Sequence, residues 1–314
     1  MRILIEKLRS LPRLAALGLG GVVLFIALVY YPVGAIWLHH IDDTETLDLA
    51  AYHTEGESYA VSTAIALIDR EVNKHRWVSS DPAIFPGALL VRMPAFQRGI
   101  MGSIARFSIE MYDQVARTRG SSSADTDLQK ANGLLNYSPY VWLFDFDTSW
   151  LPTASTPTQY RAGMESLKSY NERLAKGNAV FERRADNLIQ VIDRMASDLG
   201  ASSAAIANFV DTRSGLSLPG AAELYYTTKG RLYANYLLLE GLRKDFDVVI
   251  NERQLGPAWD QLMLSLRDGL RLDNLLIFNA APDSQFFPNH LATQGFYVLR
   301  ARMQMREITN ILMK

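Results

Sequence analysis

The sequence contains no cysteine. Disulfides, thiol catalysis and cysteine-ligated zinc are therefore excluded, and an oxidising compartment tolerates such a chain well. Excess charge of either sign is missing too: 32 basic residues face 33 acidic ones, a net charge of −1. A nucleic-acid interface normally shows as a lysine- and arginine-rich patch, so no nucleic-acid partner is expected. Catalytic signatures are equally scarce. Neither G-x-S-x-G nor S-x-x-K occurs. The five histidines, His39, His40, His53, His75 and His290, include no pair at zinc-motif spacing. Gly18-Leu19-Gly20-Gly21 has no strand before it and cannot be a nucleotide loop; its small residues suit close packing against another membrane helix. No catalytic residue, metal site or cofactor is expected, and an enzyme is the less favoured class.

One feature dominates what is present. Leu14 to Leu38 runs for 25 positions without a charged side chain. About 20 apolar residues cross a hydrocarbon core of about 30 Å as a helix. Arg2, Lys7, Arg9 and Arg13 precede the run against a single Glu6, and Asp42, Asp43, Glu45 and Asp48 follow it. Basic flanks stay in the cytoplasm. The expected organisation is a cytoplasmic basic tail over residues 1–13, a transmembrane anchor over 14–38 and an extracytoplasmic domain over 39–314. Tyr30, Tyr31 and Trp37 fall near the outer interface, where amphipathic aromatics are favoured. Pro32 and Gly34 are expected to kink or end the helix, leaving Leu14–Tyr31 as the minimal span. Val33-Gly34-Ala35 could pass as a signal-peptidase site, but signal peptides carry only about 7–15 apolar residues. A buried core helix would leave the charge switch across the run a coincidence. With four basic and one acidic residue up to Leu38, the remainder carries 28 basic and 32 acidic residues, a mildly acidic body of net −4.

That body reads as all-α. Val61, Ile65, Ile68 and Val72 line one face of a helix over Tyr59–Trp77, started by Ser58 or Glu57. A second helix is expected over Pro94–Arg119 with Gly120 as its C-cap, and a short one over Thr126–Leu135. Tyr160, Leu167, Leu174, Phe181, Leu188 and Met195 then recur every seven residues, with Met164, Asn171, Asn178, Ala185, Ile192 and Leu199 three residues ahead of the next. The pattern predicts one long coiled-coil-like helix from Thr156-Pro157 to Gly200. Another long helix is expected over Ala222–Asn251, packed against the first within the chain, with self-association through one seam as the alternative. Asn171, Asn178 and Asn235 are expected at seam edges facing water rather than buried as register-setting polar groups. Helices over Trp259–Leu276 and Asn289–Met313 complete an extracytoplasmic bundle of long helices.

Tyr137–Pro152, YSPYVWLFDFDTSWLP, breaks the helical pattern. If extended, it places Trp142, Phe144, Phe146 and Trp150 on one face and Asp145 and Asp147 on the other. Aromatics beside paired carboxylates can bind sugars or serve acid/base chemistry, so Trp142, Asp145, Asp147 and Trp150 are the candidate ligand-binding residues. The plainer expectation is a strap whose aromatics anchor it to the helical core.

The stretches LIDREVNKHRW, FPGALLVRMPAFQRGI, ARFSIEMYDQVARTRGSSSADTDL, VWLFDFDTSWLPTAS and YNERLAKGNAVFERRADNL resemble the bacterial domain-of-unknown-function family 2333. The likeness runs from about Tyr31 almost to the carboxyl end. It departs at Val91-Arg92, where the family carries an Asp–Asn pair before Met-Pro. The resemblance implies a protein of Gram-negative bacteria with one amino-terminal span, hence an inner-membrane anchor and a periplasmic body, and supplies no activity. The expected role is structural or interactive in the cell envelope, with inner-membrane lipid and a protein of the membrane or periplasm as partners and a homo-oligomer as a further option. The alternatives are an enzyme or ligand-binding protein acting through segment 141–150, and a sensor ectodomain. A sensor would have to signal through a partner, because only about 13 residues precede the span.

Overall fold

A computed structural model describes residues 13–119, 125–144, 150–212, 220–274, 276–281 and 284–314. Among them the fold is all-α, without a β-strand; Asn279 and Asn289 make one isolated bridge. The apolar run forms α1 (Arg13–Phe25) and α2 (Tyr31–Leu38), joined by a π-helical turn over Ile26–Tyr30. It does not stop at Pro32. Proline lacks a donor and its ring crowds the carbonyl four residues back; the wider turn just before it absorbs both demands, and the helix continues to Leu38. Leu17–Leu38 is long and apolar enough to cross a bilayer, and its hydrophobic side chains face outward.

The body consists of α3 (Tyr59–Asp69), α4 (Arg92–Arg119), α5 (Thr126–Leu135), α6 (Thr156–Ala175), α7 (Ala185–Thr212), α8 (Ala221–Asp245), α9 (Asp247–Glu252), α10 (Gly256–Leu270) and α11 (His290–Leu312). The π-helical turn Arg70–Lys74 extends α3. Helix α8 is buried on nearly every side, from Tyr225 and Tyr226 through Leu232, Tyr233 and Leu237 to Leu242. It is enclosed although it carries polar residues, Lys229, Asn235 and Asp245 among the buried ones. It crosses α4 backbone to backbone: a Cβ on Gly99 would run into the Thr227 carbonyl, and one on Gly230 into the Phe96 carbonyl. Two glycines at one crossing let the axes approach closer than side chains permit.

The heptad helix predicted from Thr156 to Gly200 is two helices. Gly177, at φ +72°, ends α6. The Asn178 amide bonds the Arg173 carbonyl at 2.8 Å and the Gly177 amide the Leu174 carbonyl at 3.0 Å, the paired closing bonds of a glycine-terminated helix. Phe181 is still buried, but from the connecting loop, edge-on to Phe246 at 5.6 Å. The second half of the seam continues past Gly200 through Ser202 and Ile206. Its partner is α11 and not α8. Gly295 lies against Ile206 and Gly200 against Arg302, so α7 and α11 run antiparallel. Helix α6 packs instead on α5 and α3. The last predicted boundaries also move: α8 stops at Asp245, and α10 stops at Leu270 because the Leu272 and Asn274 carbonyls turn to accept Tyr225 and Tyr226 hydroxyls at 2.9 and 3.0 Å.

Two polar side chains inside this core, Asn171 and Asp245, join helices. Asn171, expected at the water's edge, is 1% exposed. Its Oδ1 accepts the Ser58 amide at 2.9 Å and its Nδ2 donates to Ser62 Oγ at 2.9 Å. Asp245 accepts the Ser58 hydroxyl at 2.7 Å and the Tyr59 and Ala60 amides at 2.9 Å. The first turn of α3, whose amides have no partner within the helix, is thus capped from α6 and α8. Asn235 is buried as well, and only Asn178 faces water as expected.

Asp125 does the same for α5, accepting the Asp127 and Leu128 amides at 3.0 and 3.3 Å and Arg173 Nη2 of α6 at 2.7 Å. Burial pushes its pKa up, but the Arg173 bond, the Leu128 amide and the Arg173 charge outweigh that, and the net shift is downward. A carboxyl with a depressed folded pKa adds stability above its unfolded pKa and loses it as pH falls through the folded one. Asp125→Ala should therefore lower stability at neutral pH and remove part of the acid-induced loss below about pH 4. Urea titrations of both proteins at neutral and acid pH measure this; parallel pH profiles would refute it.

Candidate functional site

The described residues with the densest charged network lie where the apolar helix enters the body. The chain leaves α2 as a strap, His39–Leu49. Each of its first three acids meets a base on the body. Asp42 Oδ2 is 3.5 Å from Arg70 Nη1, and Asp43 Oδ2 is 2.7 Å from Lys229 Nζ. Glu45 reaches Arg267 Nε at 3.0 Å and Arg271 Nε at 3.1 Å. Between them the Thr44 carbonyl accepts the Tyr233 hydroxyl at 2.8 Å. Residues that read as a topology signal in the sequence are also a clamp.

The helix itself is seated. Gly34 touches Pro86, and a Cβ there would overlap the proline ring. The Tyr30 hydroxyl donates to the Ile84 carbonyl at 3.2 Å and the Tyr31 hydroxyl to the Ala83 carbonyl at 2.6 Å. One turn beyond, the His40 amide lies 3.1 Å from Met93 Sδ.

Beneath the strap lies a buried polar network. Arg70 Nε bonds Glu71 Oε1 at 2.8 Å, and Arg70 Nη1 donates to the Tyr233 hydroxyl at 2.7 Å. Glu71 is fully buried, 3.7 Å from His75 Nδ1, and the His75 ring packs on that of His40 with centroids 4.3 Å apart. Burial lowers the proton affinity of Arg70, but Glu71, Tyr233 and Asp42 outweigh it and hold the guanidinium more firmly charged than usual. Burial pushes the Tyr233 phenol up to about 12. The charges are thus matched within the network, which suits positioning of the strap.

Two open clefts carry charged linings, one against the strap and one away from it. The first, about 430 Å³, lies against the strap and is lined by His39, His40, Asp43, Arg92, Lys229 and Asp273. Burial, then the Arg92 charge, then His40 lower the His39 pKa, so this ring tends to be neutral. The second, about 330 Å³, gathers Arg98, Arg106 and Arg231 around Asp198. Arg106 Nε is 3.6 Å from Asp198, while Arg231 donates to Ser202 Oγ at 2.9 Å. Burial raises the Asp198 pKa against the pull of Arg106, Arg231 and Arg194. Among the described residues no group of three or more histidines and acids is arranged to hold a metal ion.

The residues singled out from the sequence are elsewhere. Trp142 is half-buried and edge-on to Phe85 at 5.7 Å. Trp150 is 83% exposed. Asp145 and Asp147, with Phe146, lie outside the described residues. Strict alternation of faces does not hold over the described part, since Leu143 and Phe144 are both exposed. The strap network had no sequence signal of its own, because its partners lie 28 to 226 positions apart.

The clamp has a measurable asymmetry. Asp43→Ala leaves Lys229, 1% exposed, with the Leu272 carbonyl at 3.2 Å and Asp273 at 4.0 Å as its remaining partners. Stranding a buried cation should cost about 2–3 kcal/mol. Lys229→Met removes the charge and keeps most of the volume, and should cost under about 1 kcal/mol. Chemical denaturation of the detergent-solubilised protein compares them; equal losses would contradict the asymmetry.

No curated protein and no solved structure matches the chain. One family model does, over residues 13–217, which is more than half of the 314 residues and includes the apolar helix, the strap, the seat and α3 to α7. The chain belongs to family DUF2333, described as an uncharacterized protein conserved in bacteria.

Proposed function

We propose that this protein is a membrane-tethered interaction protein of the bacterial cell envelope. Leu14–Leu38 is a retained inner-membrane anchor, the amino terminus is cytoplasmic, and the helical body is periplasmic. The observation that carries this reading is the seat of Gly34 on Pro86, with Tyr30 and Tyr31 bonded to the Ile84 and Ala83 carbonyls. A signal sequence is discarded after export, whereas here the apolar helix contributes contacts to the folded body. The four basic residues before the span favour the stated orientation.

The interaction role is supported by α11. Phe296, Leu299 and Met303 are exposed at i, i+3 and i+7, an apolar stripe bordered by Arg300, Arg306 and Glu307. An amphipathic helix of a periplasmic or membrane protein fits such a stripe.

Alkaline phosphatase fused after Leu38 should be active, and the membrane-bound protein should keep its native amino terminus by mass spectrometry. An inactive fusion would overturn the orientation, and a start near Ala35 would overturn retention. A photo-crosslinking residue in place of Met303 should give one discrete protein adduct in cells. An adduct of two copies would make the partner a second chain; no adduct would remove the stripe as the interface.

A further inference from the structure

We propose that the loop beside the anchor is a second membrane contact: an apolar lip formed by Ile84, Leu89 and Val91 that enters the outer bilayer interface, with Arg92 directed to a phospholipid phosphate. This rests on the reading that Leu14–Leu38 spans a bilayer.

Depth follows from helix geometry. A core of about 30 Å takes about 20 residues at 1.5 Å per residue. Counted from Leu14, the hydrocarbon ends near Val33. Tyr30 and Tyr31 then lie at its outer boundary, the level that tyrosine favours. Their hydroxyls bond the Ile84 and Ala83 carbonyls, so the loop is fixed at that level. Pro86, against Gly34, sits about one turn further out. Ile84 is 63% exposed, Leu89 61% and Val91 51%. Three large aliphatics turned outward on one short loop would be costly in water. Beside a bilayer they have an apolar phase to enter.

The lip continues sideways. Phe85 packs edge-on to Trp142, which brings the segment containing Leu143 and Phe144 alongside. Trp150 and Leu151, at the other end of that segment, are exposed as well.

Arg92 follows Val91 directly, at the start of α4. Among the described residues no carboxylate lies within ion-pair distance of it; its guanidinium stands 5.9 Å from the Tyr226 ring centroid. It lines the cleft beside the strap together with His39, the first residue after the span. A long cationic side chain at the interface lays its stem on apolar surface and its head among phosphates. The occupant is therefore a glycerophospholipid of the bilayer that holds the anchor, its acyl and glycerol region against the lip and its phosphate against Arg92.

The absence of cysteine makes the test direct, because single-cysteine spin labels can be placed in the full chain without removing a native thiol. Four variants are reconstituted in liposomes of phosphatidylethanolamine and phosphatidylglycerol: Ile84→Cys, Leu89→Cys, Val22→Cys in the anchor, and Val248→Cys in α9 at the far end of α8. Collision with oxygen is compared with collision with a water-soluble nickel chelate. Labels at Ile84 and Leu89 should favour oxygen several-fold over the label at Val248 and report a depth between Val22 and Val248. Adding Arg92→Glu should move the Leu89 label toward water. Labels at Ile84 and Leu89 that behave like Val248, with Val22 in lipid, would overturn the lip and leave the anchor standing. Low collision with both reagents would mean that another protein chain covers the lip, which also overturns it. A water-exposed Val22 label would overturn the anchor reading itself.

Discussion

The constraint at the centre of the fold is a close approach of two backbones. Gly99 and Gly230 let α4 and α8 meet with no side chain between them, and the body is arranged around that crossing. Polar side chains along the enclosed α8 fasten other parts of the chain to it. Toward one end of α8, Lys229 and Tyr233 hold the strap. Toward the other, Asp245 caps the first turn of α3. A single central helix therefore couples the seating of the apolar helix to the order of the body.

Much of this was readable from the chain, and what was not has a common cause. The apolar span, the all-α class, the helix over Thr126–Leu135 and the Ser58 start of α3 follow from local rules: run length, periodicity and capping chemistry. The seven-residue repeat was real but misleading. It kept a hydrophobic residue in step across a helix break, since Phe181 is buried whether it sits on a helix or in a loop. The signal that could have revealed the break was Gly177-Asn178, a helix-ending pair in the middle of the pattern. Partner choice was illegible for a different reason. The repeat shows that a helix has an apolar face but not which other apolar face covers it, so α11 took the place expected for α8.

The site was harder still. Asp42, Asp43 and Glu45 announce themselves only as negative charge after an apolar run, a pattern that the expected membrane topology would explain by itself. Their second use depends on Arg70, Lys229, Arg267 and Arg271, which come from three separate helical regions. Buried asparagines were misjudged in the same way: Asn171 looked like a seam-edge residue, but its amide is enclosed because it satisfies the start of another helix. Side chains that serve distant backbone leave no local trace.

The strap also has a mechanical meaning. A tether normally adds slack: each flexible residue lets the attached domain tilt and search a larger volume. Here three acids and a tyrosine hold the strap to the body within seven residues of the apolar helix, so it has almost no slack. A body attached in this way moves with its helix as one piece. On the membrane reading, the orientation of the helix in the bilayer would set that of the whole body, with little freedom to tilt between the two.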